Sequence, residues 1–264
     1  MLEICMLASG SSGNAVYVAT EKTKLLVDAG LSGKRLAAAL TEIGAEPTAL
    51  QALLISHDHN DHIYGAGVMS RRYRLPLYAT EPTWKAAKNR LGKIAAEHCR
   101  RLPLCGRLVI GDLLVETFPV PHDAAGPVGF IFRSGKQAAA LVTDLGYVTP
   151  YILDRLQQLD CIILEANHDE EMLMNGSYPW PLKQRIKGNT GHLSNTLAAE
   201  YLRKILTPKT KYVILAHLSE QNNLPQLAYD TVCNRLEASG HLPGKQFSVQ
   251  VARRHTPSCY LRLV

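Results

Sequence analysis

Several things are missing from this sequence of 264 residues, and each absence excludes something. Its six cysteines (Cys5, Cys99, Cys105, Cys161, Cys233 and Cys259) are scattered, and no two form a C-x-x-C pair. That removes the strongest sequence signal for a thiolate metal site or a dithiol redox motif. A chain long enough to fill its own core has little need of a disulfide framework, so reduced thiols in a cytoplasmic protein are expected. No apolar run reaches the ~18 residues of a membrane span. The opening "MLEICMLASGSSGNAVYV" lacks the basic flank and long apolar run of a signal peptide, so no membrane association is expected. There is no fixed-period repeat, linker or low-complexity tract. One compact domain over residues 1–264 is therefore expected. The turn "SGSSGN" (Ser9 to Asn14) has no G-x-x-x-x-G-K pattern and is no P-loop.

What is present reads as layered α/β. Apolar residues make up 46% of the chain, and the net charge is +6 with a pI near 9.0, a weak pointer to a polyanionic partner. Strands are expected at Leu2–Leu7, Ala15–Ala19 and Lys24–Asp28, and Ser32 is placed to cap a helix ending at Gly44. Strand-like and helical blocks then alternate to the C-terminus. The stretch "NHDEEMLMNGSYPWPLKQRIKGNTG" reads as a long irregular loop. Two sheets with helices packed outside them account for the pattern.

The apolar run "ALLIS" leads into "SHDHNDH" (Ser56 to His62), with three histidines and two aspartates in seven residues. In extended backbone, residues two apart project from one face, so His57 and His59 share a side and Asp58 points elsewhere. The chain must then turn, which brings Asp61 and His62 round. Imidazole and carboxylate are ligands for zinc or a harder divalent ion. Other ligand-type residues stand just beyond apolar strands: Asp28 after "KLLV", His122 after "LVETFPVP", Asp144 after "AAALVT" and His217 after "KYVILA". The ends of strands are where α/β folds place their sites.

"LLVDAG", "SHDHNDH", "VPHD", "VTDLG" and "ILAHLS", in this order, resemble the five motifs of the metallo-β-lactamase-fold hydrolases. The resemblance implies a four-layer αβ/βα sandwich with a two-metal site. It implies that His57, His59 and His122 hold one ion, that Asp61, His62 and His217 hold the other, and that Asp144 bridges them. Asp28 would orient the histidine turn through a hydrogen bond. Two such ions, zinc or manganese, would clamp and activate a water.

The substrate is read from other residues. "TGHLSN" opens a helix whose N-terminus, with His192, Ser194 and Asn195, suits an anion such as phosphate. "LEANHD" sets Glu165 and His168 past another strand end. Cleaving a phosphodiester expels a poor leaving group that needs a proton, and either His168 or His192 is placed to give it, with Glu165 orienting one of them. Ser11 and Ser12 have hydroxyls and free N–H groups for a phosphate. Tyr178 and Trp180 interleaved with Lys183, Arg185 and Lys187 suit a nucleic-acid strand. The runs "RRYR" and "ARRH" read as solvated faces.

"SGSSGN", "SHDHNDH", "LEANHD", "GHLSN" and "AHLSEQNN" together resemble the YycJ/WalJ-type branch of the superfamily. That implies 5′-to-3′ exonuclease action on DNA and no inserted β-CASP domain. The expectation is a two-metal phosphodiesterase acting on nucleic acid. A small-molecule hydrolase of the same fold (thioesterase, lactonase or cyclic-phosphate diesterase) would need a closed apolar pocket. A non-catalytic nucleic-acid-binding protein would have no use for seven ligand-type residues.

Overall fold

The computed structural model describes all 264 residues. In chain order the elements are β1 Leu2–Ala8, β2 Ala15–Ala19, β3 Lys24–Val27, α1 Gly33–Glu42, β4 Ala52–Leu54, α2 Asn60–Ile63, α3 Ala66–Tyr73, β5 Leu77–Ala79, α4 Glu81–Leu91 and β6 Cys99–Arg101. There follow β7 Gly106–Ile110, β8 Leu113–Pro119, β9 Val128–Ser134, β10 Gln137–Val142, α5 Pro150–Arg155, β11 Cys161–Glu165, α6 Glu170–Asn175 and α7 Trp180–Lys187. The chain closes with α8 Asn195–Ile205, β12 Tyr212–Ala216, α9 Pro225–Ala238, β13 Ser248–Val251 and β14 Ser258–Leu263. No helix is long and apolar enough to cross a membrane. All six cysteines are free thiols.

Two compact units form. The first comprises Met1–Pro119, Ala124–Gln137 and Arg253–Val264. One of its sheets has the order β14-β1-β2-β3-β4-β5-β6. The pairs from β14 to β3 are antiparallel and those from β3 to β6 are parallel. Parallel neighbours need crossovers, and α1, α3 and α4 supply them. The amphipathic side of α1 buries Leu36 and Leu40 in a core with Leu26, Leu53, Met69 and Leu77. Ser32 caps α1 by accepting from Arg35 N–H, and the helix stops at Glu42, two residues short of the expected Gly44. The same unit holds the antiparallel ribbon β7-β8-β9. Glu116 on β8 is 1% exposed and is held by the guanidinium groups of Arg107 and Arg133.

The second unit comprises Val120–Asp123 and Ala138–Ala252. Its strands run β13-β12-β11-β10, all parallel. Their near-continuous apolar sequences, "AAALV", "CIILE" and "YVILA", fit strands covered on both faces. In each unit the parallel strands end on one side, and the ligand-type residues sit there.

The expected long loop after β11 is instead two helices. Asp169 caps α6 by accepting from Glu171 and Met172 N–H, with Glu170 and Glu171 completing an acidic first turn. Pro181 lies in the first turn of α7, a position where proline lacks no needed donor. The prolines that made the segment look irregular are a helix start.

Candidate metal centre

Three of the strand-end residues share an unusual backbone. Asp28, Asp144 and His217 lie at φ of 58°, 60° and 56°, in the left-handed region. That region costs a non-glycine residue on the order of 1–3 kcal/mol and concentrates where a side chain must be aimed. Each turns the chain sharply just past a buried strand and directs a ligand-type group off its end.

In the first unit, Asp28 organises the histidine turn. Its Oδ1 accepts from Ser56 N–H at 2.8 Å, and its Oδ2 accepts from Ser56 Oγ and from His62 Nδ1, both at 2.8 Å. The Ser56 hydroxyl spends its proton on Asp28, so His57 Nδ1 donates to Ser56 Oγ at 3.0 Å. Both imidazoles thus carry their proton on Nδ1 and keep Nε2 as the acceptor nitrogen, the tautomer that carboxylate and hydroxyl partners impose on metal-ligating histidines. Ring centroids of His57 lie 4.7 Å from His59 and 4.1 Å from His62. The alternation of extended backbone and the α2 turn therefore bring these three rings together. Asp58 points away: it accepts from Ala125 N–H at 2.9 Å and from Arg90 at 2.6 Å. Burial opposes its charge, but these two donors outweigh it and hold the carboxyl below its usual range.

Two residues of this half escaped the sequence reading. Ser56 links Asp28 to His57. Asn14 donates through Nδ2 to His62 Nε2 at 3.0 Å and to Asp61 Oδ2 at 3.2 Å, while its N–H bonds Asp61 O at 2.8 Å. Gly30 makes this close packing possible: a Cβ there would stand 1.7 Å from Asp61 O. Neither residue is of a ligand type, so only their neighbours in sequence hinted at them. A Ser56→Ala substitution is expected to lower metal affinity about 10- to 100-fold, the usual cost of losing a ligand's orienting partner. Isothermal titration with Zn²⁺ checks it; affinity equal to the parent would show that Asp28 alone holds the turn. Ser11 and Ser12 are exposed beside Gly30, Asn60, Asp61 and Tyr64, in a depression of about 290 Å³.

In the second unit, Asp144 is the focus. Its Oδ1 lies 3.3 Å from His217 Nε2, 3.8 Å from His122 Nε2 and 3.8 Å from His192 Nδ1. His122 Nδ1 donates to Gly191 O at 3.2 Å, which makes Nε2 its acceptor nitrogen. Asp144, Glu165, His192 and His217 each offer one ligand atom, and these lie within 4.8 Å of one another. Within this group Glu165 and His192 are engaged with each other, which leaves Asp144 and His217 as the oxygen and nitrogen donors that suit a divalent ion such as zinc or manganese.

Glu165, fully buried, is bound on both oxygens. Oε1 accepts from His192 Nδ1 at 2.7 Å; Oε2 accepts from Leu193 N–H at 3.0 Å and Leu145 N–H at 3.2 Å. Burial alone would strip the proton from His192, but Glu165, with Asp144, reverses this and pushes the imidazole up to about 9. The ring is therefore cationic at neutral pH. His168 is the opposite case. Burial lowers it to about 4, and its Nδ1 has no hydrogen-bond partner.

Other expected binding groups face inward. Ser194 caps α8 by accepting from Leu197 N–H and donates to Glu170. Asn195, 1% exposed, forms a reciprocal amide pair with Asn223 at 3.0 and 2.9 Å. Lys183 is 9% exposed and caps the carbonyls of Met174 and Gly176, while Arg185 pairs with Asp123. The basic residues of the segment after Glu165 are thus largely occupied within the unit.

Residues 23–218 match the model of the beta-lactamase superfamily domain. The chain is 44% identical over 246 residues to the exodeoxyribonuclease WalJ of Streptococcus pneumoniae, covering 92% of this chain and 91% of that protein. It is 40% identical over 248 residues to the exodeoxyribonuclease YycJ of Bacillus anthracis, covering 94% of each. Among solved structures, the metallo-beta-lactamase fold protein YhfI of Bacillus subtilis superposes with a TM-score of 0.71 at 15% identity, over 97% of this chain and 98% of that one.

Proposed function

Because the chain belongs to the beta-lactamase superfamily, and within it to the group containing WalJ and YycJ, we propose that it is a metal-dependent exodeoxyribonuclease. The near-full-length match to two exodeoxyribonucleases carries this reading. The donor chemistry of both units agrees with it. His57, His59 and His122 would hold one divalent ion, Asp61, His62 and His217 a second, with Asp144 shared; zinc and manganese both suit these donors. When bound, two such ions lower the pKa of a water and offset charge on the phosphoryl oxygens.

The protein's own groups do the rest. Asp28 and Ser56 hold the imidazoles of His62 and His57 in the tautomer that a metal requires. Glu165 keeps His192 protonated and oriented. His192 then donates that proton to the 3′ alkoxide as it leaves. His168, neutral at physiological pH, has no proton of suitable acidity to give. Ser11 and Ser12 offer hydroxyls to the terminal 5′ phosphate from the exposed turn beside Asp61. The free thiols agree with a reducing compartment, the cytoplasm.

The test is direct. Metal-loaded protein is incubated with 5′-labelled single- and double-stranded DNA, with RNA, with bis(p-nitrophenyl) phosphate and with a thioester. Release of mononucleotides from the 5′ end of DNA is expected. Hydrolysis of the thioester alone would refute the nuclease reading.

A further inference from the structure

The positive charge of this chain is concentrated in one place. Between Arg71 and Arg101 stand nine lysines and arginines against two acidic residues, a net of +7. The whole chain carries +6, so all other residues together come to −1. The segment runs from the end of α3 through β5 and α4 to β6, entirely within the first unit. Every one of its nine basic residues is exposed.

This face also has a hollow of about 440 Å³, floored by Trp84, Leu91 and Ile94 and rimmed by Lys85, Lys88 and Lys93. Trp84 is held in place: its indole N–H donates to Arg100 O at 2.9 Å. Arg71 donates to Leu91 O at 2.8 Å and fixes the end of α4 behind the hollow. Lys85 has Glu81 at 2.8 Å, a solvent-exposed pair of little strength. Lys88 and Lys93 pair with no carboxylate. Two residues beyond Lys88 on α4, Arg90 grips Asp58 of the histidine turn, so the same helix carries the hollow and touches the candidate metal loop.

An aromatic floor ringed by ammonium groups matches an unpaired nucleotide. The base presents a π-face to the indole, and its flanking phosphates meet the lysines. A duplex keeps its base faces stacked and offers only phosphates. We propose that this face binds the single-stranded DNA backbone beyond the nucleotides being cleaved, with one base seated in the Trp84 hollow. The proposal rests on the nuclease reading above.

It is tested with the metal-loaded full chain, a Lys85→Gln/Lys88→Gln/Lys93→Gln variant and Trp84→Leu. The probe is a 20-nucleotide phosphorothioate single strand, whose anisotropy is followed across a salt series. Removing three phosphate contacts is expected to reduce the log–log salt slope by about 2, at roughly 0.7 per contact for single strands. Trp84→Leu keeps apolar bulk against the core and is expected to weaken binding about 5- to 100-fold. Both variants should hydrolyse bis(p-nitrophenyl) phosphate at the parent rate. An unchanged salt slope, in a protein whose parent degrades DNA, overturns this inference and leaves the nuclease reading standing. A parent that hydrolyses only the small diester, and neither binds nor cuts the strand, overturns both. Equal weakening of duplex and single-strand binding by Trp84→Leu overturns the seating of a base.

Discussion

Replacing Asp144 with asparagine lowers DNA hydrolysis by roughly a thousandfold or more, since several kcal/mol of charge stabilisation convert at about 1.36 kcal/mol per tenfold. The backbone gives no reason for the protein to unfold. Asparagine tolerates the left-handed φ of 60° that Asp144 adopts. What disappears is the charge. Asp144 is 2% exposed, and nitrogens of His217, His192 and His122 all lie within 3.8 Å of one carboxylate oxygen. A neutral amide at this position no longer offsets a dication held by His217 and His122, nor the positive charge of His192. Metal content by mass spectrometry, thermal melting and turnover on 5′-labelled DNA separate the effects. The expected pattern is a folded protein with depleted metal and no turnover. Turnover within tenfold of the parent would remove Asp144 from the centre.

Glu165→Gln is expected to produce a different pattern: parental metal content with kcat reduced by about 10²- to 10⁴-fold, the usual contribution of a positioned acid. Glu165 accepts three hydrogen bonds with no exposure to solvent. A glutamine can accept at only one end. Its amide NH₂ must meet either the His192 Nδ1 proton or the two backbone N–H groups, a donor against a donor. Misorientation of the imidazole and loss of its counter-charge follow together. Glu165→Asp, with the charge kept but the reach shortened, should recover part of kcat. If Glu165→Gln retains parental kcat, His192 is not the proton donor, or does not depend on Glu165 for its role.

Period and composition revealed much of this in advance. Alternation sorted His57 and His59 from Asp58, and the ring distances and the Arg90 contact follow that sorting. Apolar strands ending in Asp28, Asp144 and His217 were equally readable, because buried parallel strands leave no doubt about where they stop. Their left-handed backbone was not, since φ depends on what the following residue must pack against. Nor was the role of Ser56 or Asn14, whose importance lies in partners 28 and 47 residues away. The segment after Glu165 misled for a physical reason. Its prolines and glycines read as irregular, yet Pro181 lies where a helix begins. Its lysine at position 183 read as a phosphate ligand, yet it caps two carbonyls. Conversely, "RRYR" read as a solvated face when taken alone. Only the fold sets it beside α4 and the loop after it, where its charge joins that of Lys85, Lys88 and Lys93.

The left-handed residues also bear on how this chain could be altered in the laboratory. At positions 28, 144 and 217 the backbone is easiest for glycine, which adopts positive φ freely. The chemistry proposed for those positions needs a carboxylate or an imidazole, and glycine has neither. A library randomised at 144 and 217, where no such set of three accepted hydrogen bonds as that of Asp28 is lost, and sorted for thermal resistance would enrich glycine and asparagine. The same library sorted for DNA degradation would return aspartate and histidine. These are places where the fold and the reaction favour different amino acids, and the divergence between the two sorted pools would measure how much stability the site forgoes.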